Sequence, residues 1–258
     1  MSVLSLQDLS IILVRPRFPE NIGAAVRSAC NMGVGEICVV QPENFDLPRI
    51  HKMATHACVD FIGEQHVYLD LQTALAPFHY VFGTTARLGG EREKVLTPPT
   101  AAQKIIPMLS NNKVALVFGS EDRGLENTEI RLCHELIHIP TADFSSVNLA
   151  QAVMILCYEC FTTLREQTTS ASFFPRMATH TELAGLYNEL TPLLTKIHYV
   201  NPENPDYWMN KVRHFLHRMK LQAVEVSILR GICRQMNWYV EKRYEDGKQE
   251  TLSFKKEP

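Results

Sequence analysis

Short runs of apolar, largely β-branched residues recur through the first part of the chain, each stopped by proline, glycine or small polar residues. They read "SIILVRP", "EICVVQP", "HYVFGTTAR", "KVALVFGSED" and "ELIHIPTA". Runs this short and this uniformly apolar suit strands covered on both faces, as in parallel sheets. Between them, apolar positions fall three or four apart, the period of a helix with one buried face. The candidate helices run from Pro19 to Met32, Ile50 to Phe61, Leu71 to Pro77, Ala101 to Leu109 and Thr128 to His134. A longer one follows, from Ser146 to Gln167. This alternation predicts an α/β domain with a mostly parallel sheet over residues 1–167.

The pattern then changes. "TTSASFFPRMATH", residues 168–180, is rich in serine and threonine, holds a proline and reads as a linker. Only helical periodicity follows, in "TELAGLYNELTPLLTKIHYV", "DYWMNKVRHFLHRMK" and "QAVEVSILRGICRQMNWYVEKRYED". Residues 181–258 are therefore expected as a small all-α domain ending in a loose tail from Gly247. A chain of 258 residues is long enough for both domains.

Charge adds a function to this division. The chain carries a formal net charge of −2, yet the stretch from Met209 to Arg243 holds eight basic residues against two acidic ones. Such a stretch is either a face for a polyanion or the solvated surface of a helical domain. The aromatics near it (Tyr199, Tyr207, Trp208, Trp238 and Tyr239) are expected chiefly as core in a domain this small, with stacking on bases as the alternative. No segment approaches the roughly 20 apolar residues of a membrane span. "MSVLSLQDLS" lacks the basic start and apolar stretch of a signal peptide, so a cytoplasmic location is expected. The seven scattered cysteines fit a reducing compartment, and the Cys157–Cys160 CxxC falls inside a helical pattern, where packing explains it.

Three segments carry candidate chemistry. In "NIGAAVRSACNMG", Gly23, Arg27 and Asn31 lie four residues apart on one helical stripe, while Ile22, Val26 and Ala29 form an apolar one. Asn21 stands near the helix start, placed to cap it or to meet a ligand. In "LVFGSEDRGLEN" a buried strand ends at Gly119 and a polar loop follows; "FGTTAR" has the same form. Parallel sheets bind ligands beyond the carboxyl ends of their strands, and glycine there lets backbone approach closely. Neither segment is a GxGxxG or GxxxxGK[ST] motif, which disfavours both nucleotide classes. In "IPTADFSSVNLAQAV", Ser145, Ser146 and Asn148 cluster where the long helix begins, as caps or as ligand contacts. "HELIH", His134 to His138, matches the HExxH zinc signature but straddles a helix end and a strand, so no metal is expected.

Taken together and in this order, the three segments resemble the motifs of the SpoU/TrmH-type RNA ribose 2′-O-methyltransferases of the SPOUT superfamily. "FGTTAR" and the helical extension are most similar to its TrmJ branch, whose members methylate tRNA. "GSEDRG" and "ADFSSVN" depart mildly from that branch's commoner wordings. The resemblance implies a C-terminal trefoil knot in the α/β domain, a homodimer, and S-adenosylmethionine as methyl donor. It places the donor against Thr84, Thr85, Ala86, Gly119, Ile139, Ser145, Ser146 and Val147. It makes Arg27 the catalytic residue, with Asn21, Glu121, Ser146 and Asn148 as polar positions around it. A guanidinium stays charged at any working pH, so Arg27 is expected to grip RNA phosphate and steady a developing 2′-alkoxide rather than act as a base. The implied substrate is tRNA, at the ribose of a pyrimidine at position 32 of the anticodon loop. Ribosomal RNA is the alternative substrate, and a catalytically silent RNA-binding protein the alternative function.

Overall fold

The computed structural model describes residues 5–87, 95–143, 146–166, 174–201 and 203–254. The chain divides into two units, Met1–His180 and Thr181–Pro258.

The first unit is built on a seven-stranded sheet. Its strands are β1 (Leu9–Val14), β2 (Glu36–Val40), β3 (Val67–Tyr68), β4 (Tyr80–Thr84), β5 (Val95–Leu96), β6 (Val114–Phe118) and β7 (Glu135–Ile137). Their order is β3-β2-β1-β6-β4-β7-β5, and every pairing is parallel. Among the described residues, α1 (Pro19–Asn31), α2 (Leu47–Ala54), α3 (Leu71–Leu75), α4 (Pro98–Met108) and α5 (Asn127–Ile130) lie between strands, and α6 (Leu149–Glu166) follows β7. The apolar runs of the sequence became the central strands; β1 and β6 are buried at every position.

Side chains alternate between the sheet's two faces. Ile11, Leu13, Phe82 and Leu116 point to one face, where α1, α4 and α6 cover them with Ile22, Val26, Ile105 and Val153. Ile12, Val14, Val81 and Val117 point to the other, beneath Leu75, Phe78 and Ile130. β3 and β5 have two residues each, too few to show any alternation, and they close the sheet's edges.

Several boundaries move. α4 starts at Pro98 rather than Ala101, because proline suits the first helical turn. The region from Ile50 to Phe61 divides at Thr55, whose φ of 71° ends α2 and starts a 3₁₀ turn over His56–Phe61. The described part of the 168–180 stretch, residues 174–180, is docked on the first unit. Met177 and Ala178 are buried, and the Met177 N–H donates to Asn112 Oδ1 at 2.7 Å. The His180 N–H donates to the Phe78 carbonyl at 3.0 Å.

The second unit, among the described residues, consists of α7 (His180–Lys196), α8 (Pro205–Met219) and α9 (Ala223–Phe254). α9 runs on through Gly247, where the sequence reads as a loose tail, because a single glycine does not end a helix this long. Its interior holds Leu186, Leu193, Met209, Leu221, Val226 and Cys233. The five aromatics expected in that interior are instead exposed: Tyr199, Tyr207, Trp208, Trp238 and Tyr239 all face solvent. Aliphatic side chains already fill the space between the helices.

Candidate functional site

Strand order fixes where a site can form. From β1 the chain moves outward to β2 and β3, then returns to the far side of β1 for β4, β6 and β7. The direction reverses between β1 and β6, and the segments leaving the carboxyl ends of these two strands meet there.

The segment after β1 is held in place. Arg15 adopts a φ of 48° and forks onto the Glu129 carboxylate, with a further ion pair to Glu126 at 3.4 Å. The Arg17 N–H donates to Glu121 Oε2 at 3.0 Å. Pro19 then opens α1, so Asn21 lies in its first turn.

From Asn21 a line of hydrogen bonds joins the three sequence motifs. Asn21 Nδ2 donates to Glu121 Oε1 at 2.7 Å. Asn148 Nδ2 donates to Asn21 Oδ1 at 3.0 Å. Asn148 Oδ1 accepts from the N–H groups of Ala150 and Gln151, at 2.9 and 3.3 Å, and so caps α6. Asn21 is thus locked to residues 100 and 127 positions away in the chain, joining α1, the β6 loop and the start of α6.

Beside this line lies a cavity of about 270 Å³. The ends of β4 and β6 and the segment after β7 form its walls, with α6 closing one side. Thr84, Thr85, Ala86, Gly119, Ile139, Ser146 and Val147 all line it, as does Glu121. Ser145 lies outside the described residues. Gly119 is there because nothing larger fits: a Cβ at this position would lie 2.0 Å from the Gly124 carbonyl carbon. Gly124, with a φ of 68°, closes the turn by donating to the Ser120 carbonyl at 2.9 Å. The Thr85 N–H donates to the Ile137 carbonyl at 2.9 Å, tying the β4 and β7 walls together.

Arg27 is not among the residues lining this cavity. It stands on the exposed side of α1, roughly 9 Å along the helix axis from Asn21. Among the described residues it has no ion-pair or hydrogen-bond partner. Gly23, one turn before it, answers to packing: its missing Cβ would come within 2.2 Å of the Ile50 carbonyl oxygen, so α2 crosses α1 there backbone to backbone.

Sequence reasoning did not single out the arginines at the mouth. Arg87 and Arg123 line the cavity, and Arg87 Nη2 donates to the Arg123 carbonyl at 2.6 Å. Both fall inside the quoted segments "FGTTAR" and "GSEDRG", but only the fold brings them together. Arg17 acts on Glu121 through its backbone N–H, a role no side-chain pattern announces.

The HExxH segment does not form a zinc motif. His134 precedes β7, and His138 follows it, so an extended chain separates the two rings instead of one helical turn. His134 Nδ1 accepts from the Val81 N–H at 3.1 Å, His138 Nδ1 lies 3.0 Å from the Thr85 carbonyl, and Glu135 accepts from Tyr80 and Lys104. The Cys157 and Cys160 thiols are buried in α6, and desolvation pushes Cys157 up to about 12. They remain protonated and serve as core.

Comparison with known proteins identifies the family. Residues 8–158 match the SpoU rRNA Methylase family, and the chain belongs to it. Residues 181–249 match the C-terminal domain of the tRNA methyltransferase TrmJ, which places the chain in the TrmJ branch. The tRNA (cytidine/uridine/adenosine-2′-O-)-methyltransferase TrmJ of Pseudomonas aeruginosa (strain UCBPP-PA14) is 33% identical over 242 residues, covering 89% of this chain and 94% of its own. The tRNA (cytidine/uridine-2′-O-)-methyltransferase TrmJ of Escherichia coli (strain K12) is 31% identical over 236 residues, covering 88% and 94%. The crystal structure of TrmJ from Z. mobilis ZM4 aligns with a TM-score of 0.73 at 30% identity, over 88% of this chain and 98% of that one.

Proposed function

We propose that this chain is an S-adenosylmethionine-dependent tRNA 2′-O-methyltransferase acting on the ribose of a cytidine or uridine in the anticodon loop. One observation carries the reading: the line Asn148–Asn21–Glu121 borders a cavity walled by the strand ends that the family resemblance assigns to the methyl donor. The TrmJ relatives extend over both units, which supports tRNA as the substrate.

The cavity suits the donor. Phe118, Leu125 and Leu149 give it apolar walls for a flat base, and the backbone around Gly119 and Ile139 offers N–H and C=O groups to ribose and purine edges. When bound, S-adenosylmethionine supplies an electrophilic methyl on sulfur; its transfer to the ribose 2′-oxygen leaves S-adenosylhomocysteine and releases the hydroxyl proton. The protein's part is alignment. Thr84 to Ala86, Gly119, Ile139 and residues 145–147 hold the donor, while Asn21, Glu121, Ser146 and Asn148 fix the segments that frame the 2′-oxygen. Alignment of this kind lowers a barrier by several kcal/mol, on the order of 7–11 at best. Arg27 grips a phosphate and stabilises the developing alkoxide, leaving proton acceptance to phosphate or water.

Because Arg27 does not line its own chain's cavity, the reading includes a homodimer in which α1 of one copy completes the cavity of the other. It also includes the trefoil knot, a cytoplasmic location, and a division at 168–180 between a catalytic domain and an RNA-binding one. No helix among the described residues is long and apolar enough to cross a membrane.

The test is transfer of a labelled methyl from S-adenosylmethionine to unmodified tRNA, mapped by nucleoside mass spectrometry. A 2′-O-methylpyrimidine in the anticodon loop is expected. Transfer to ribosomal RNA alone would keep the chemistry and change the substrate; transfer to no RNA would leave an RNA-binding protein.

A further inference from the structure

The rings on the surface of the second unit need a purpose. Tyr199, Tyr207, Trp238 and Tyr239 are each more than half exposed, and Trp208 is 37% exposed. Leaving five such rings in water forgoes a large apolar burial that a small helical unit would otherwise use.

Cations lie over four of them. Lys211 Nζ is 4.6 Å from the centre of the Tyr207 ring and 5.1 Å from that of Trp208. Lys242 Nζ is 5.1 Å from Trp238. The Arg243 guanidinium lies 5.6 Å from the Tyr239 ring, and its Nε donates to the Tyr239 hydroxyl at 3.1 Å. Two stretches far apart in sequence therefore repeat one device, an exposed ring paired with a positive charge.

The helix register brings the two stretches to one level. Glu189 is bound by Arg234, and Lys196 by Glu241, at the same offset of 45 residues. α7 and α9 thus run side by side in one direction, and α8 returns the chain between them. The Arg213 guanidinium, 5.7 Å from the Tyr187 ring, sets the level of α8. Counting along the helices from these contacts, Tyr207 and Trp208 stand beside the last turn of α7, as do Trp238 and Tyr239. Tyr199 follows directly after that turn.

We propose that this end of the second unit is a stacking platform for unpaired RNA bases, with Lys211, Lys242 and Arg243 meeting the phosphates between them. The inference rests on the reading of this chain as an RNA methyltransferase and adds the form of RNA it selects. In a duplex the base faces are covered by their neighbours, so rings of this kind can engage only splayed bases in loops and single strands. A purely electrostatic surface needs lysine and arginine alone and gains nothing from exposed tryptophan.

Trp208 and Trp238 are the chain's two tryptophans, so its intrinsic emission reports on this surface directly. The full chain is titrated with an unstructured single-stranded RNA of about 12 nucleotides and with a duplex of equal length. The single strand is expected to bind more tightly and to quench the emission. Trp208→Phe and Trp238→Phe, which keep a ring, should each remove part of the quench while retaining binding. Tyr207→Leu combined with Tyr239→Leu should weaken single-strand binding by roughly tenfold or more and leave duplex binding unchanged; circular dichroism melts check that the variant is folded. Equal binding of both RNAs without quenching would overturn the platform. So would emission that changes on dilution without RNA while the double variant binds normally, since a second copy would then be covering the rings. Methyl transfer by the same preparation separates the two readings. Quenching without transfer to any RNA would sink the enzymatic reading and keep the platform; transfer to tRNA without quenching would do the reverse.

Discussion

Asn21 uses both ends of its amide, donating to Glu121 and accepting from Asn148, so its orientation is fixed by two partners. Glu121 in turn accepts from two donors, one on each carboxylate oxygen. A glutamine there would turn an N–H₂ toward one of those donors. Glu121→Gln is therefore expected to lose about 1–3 kcal/mol of stability in urea denaturation and to lower methyl transfer more than donor binding. An unchanged unfolding midpoint would show that the line does not join the three segments. A second prediction concerns His180, whose ring sits against the Leu132 carbonyl and meets the edge of His134. Desolvation pushes its imidazole down to about 4. The folded chain then binds fewer protons than the unfolded one below the ordinary histidine value of about 6.5. Stability is full above about pH 6.5 and falls as the pH drops toward 4. Urea midpoints at pH 7.5 and 4.5 should differ less in His180→Gln than in the parent chain; an equal difference would remove His180 as the cause. Asn21, Gly119, Ser146 and Asn148 were legible in the sequence as candidates because they sit in short runs of glycine, asparagine and serine. Their hydrogen-bond partners were not, since Asn21, Glu121 and Asn148 meet only through the fold.

At the scale of elements, α1 shows how one stripe can serve two ends. The spacing of Gly23, Arg27 and Asn31 reads as a single face toward something polar. In the structure Gly23 is buried against the backbone of α2 at Ile50, whereas Arg27, one turn on, is exposed. Gly23→Ala places a Cβ 2.2 Å from the Ile50 carbonyl oxygen and 2.7 Å from the Met53 Cβ, so α2 must move. A loss of about 1–3 kcal/mol is expected, against the gain that alanine normally brings to a helix. Thermal melting decides the sign; a raised melting temperature would mean that α2 yields freely. The main strands were legible because burial on both faces leaves continuous apolar runs. β3 and β5 were not, because two residues carry no period, and the start of α4 was hidden by consecutive prolines that the first turn of a helix accepts.

At the scale of the molecule, the sequence shows a change of character near residue 168 but not where the first unit ends. The Ser- and Thr-rich composition reads as linker, whereas residues 174–180 are fastened by Asn112, Phe78 and Leu132. Two truncations should therefore behave differently. A chain ending at His180 is expected to fold, bind S-adenosylmethionine as the full chain does, and lose tRNA affinity. A chain ending at Glu166 should in addition melt at a lower temperature, because Met177 and Ala178 no longer cover their site. Equal loss of donor and tRNA binding on cutting at His180 would contradict the division of labour. The aromatic surface of the second unit reads as core in the sequence, because composition alone cannot tell an inward ring from an outward one.

The central claim is that Arg27 acts on the RNA and the cavity on the methyl donor. It is tested most directly by comparing Arg27→Ala with the parent chain in two assays, calorimetric binding of S-adenosylmethionine and transfer of its methyl to unmodified tRNA. The account predicts unchanged donor affinity and transfer reduced at least a hundredfold, in line with losing one electrostatic stabiliser of the developing charge. Transfer that survives the substitution, or transfer and donor binding lost together, would contradict it.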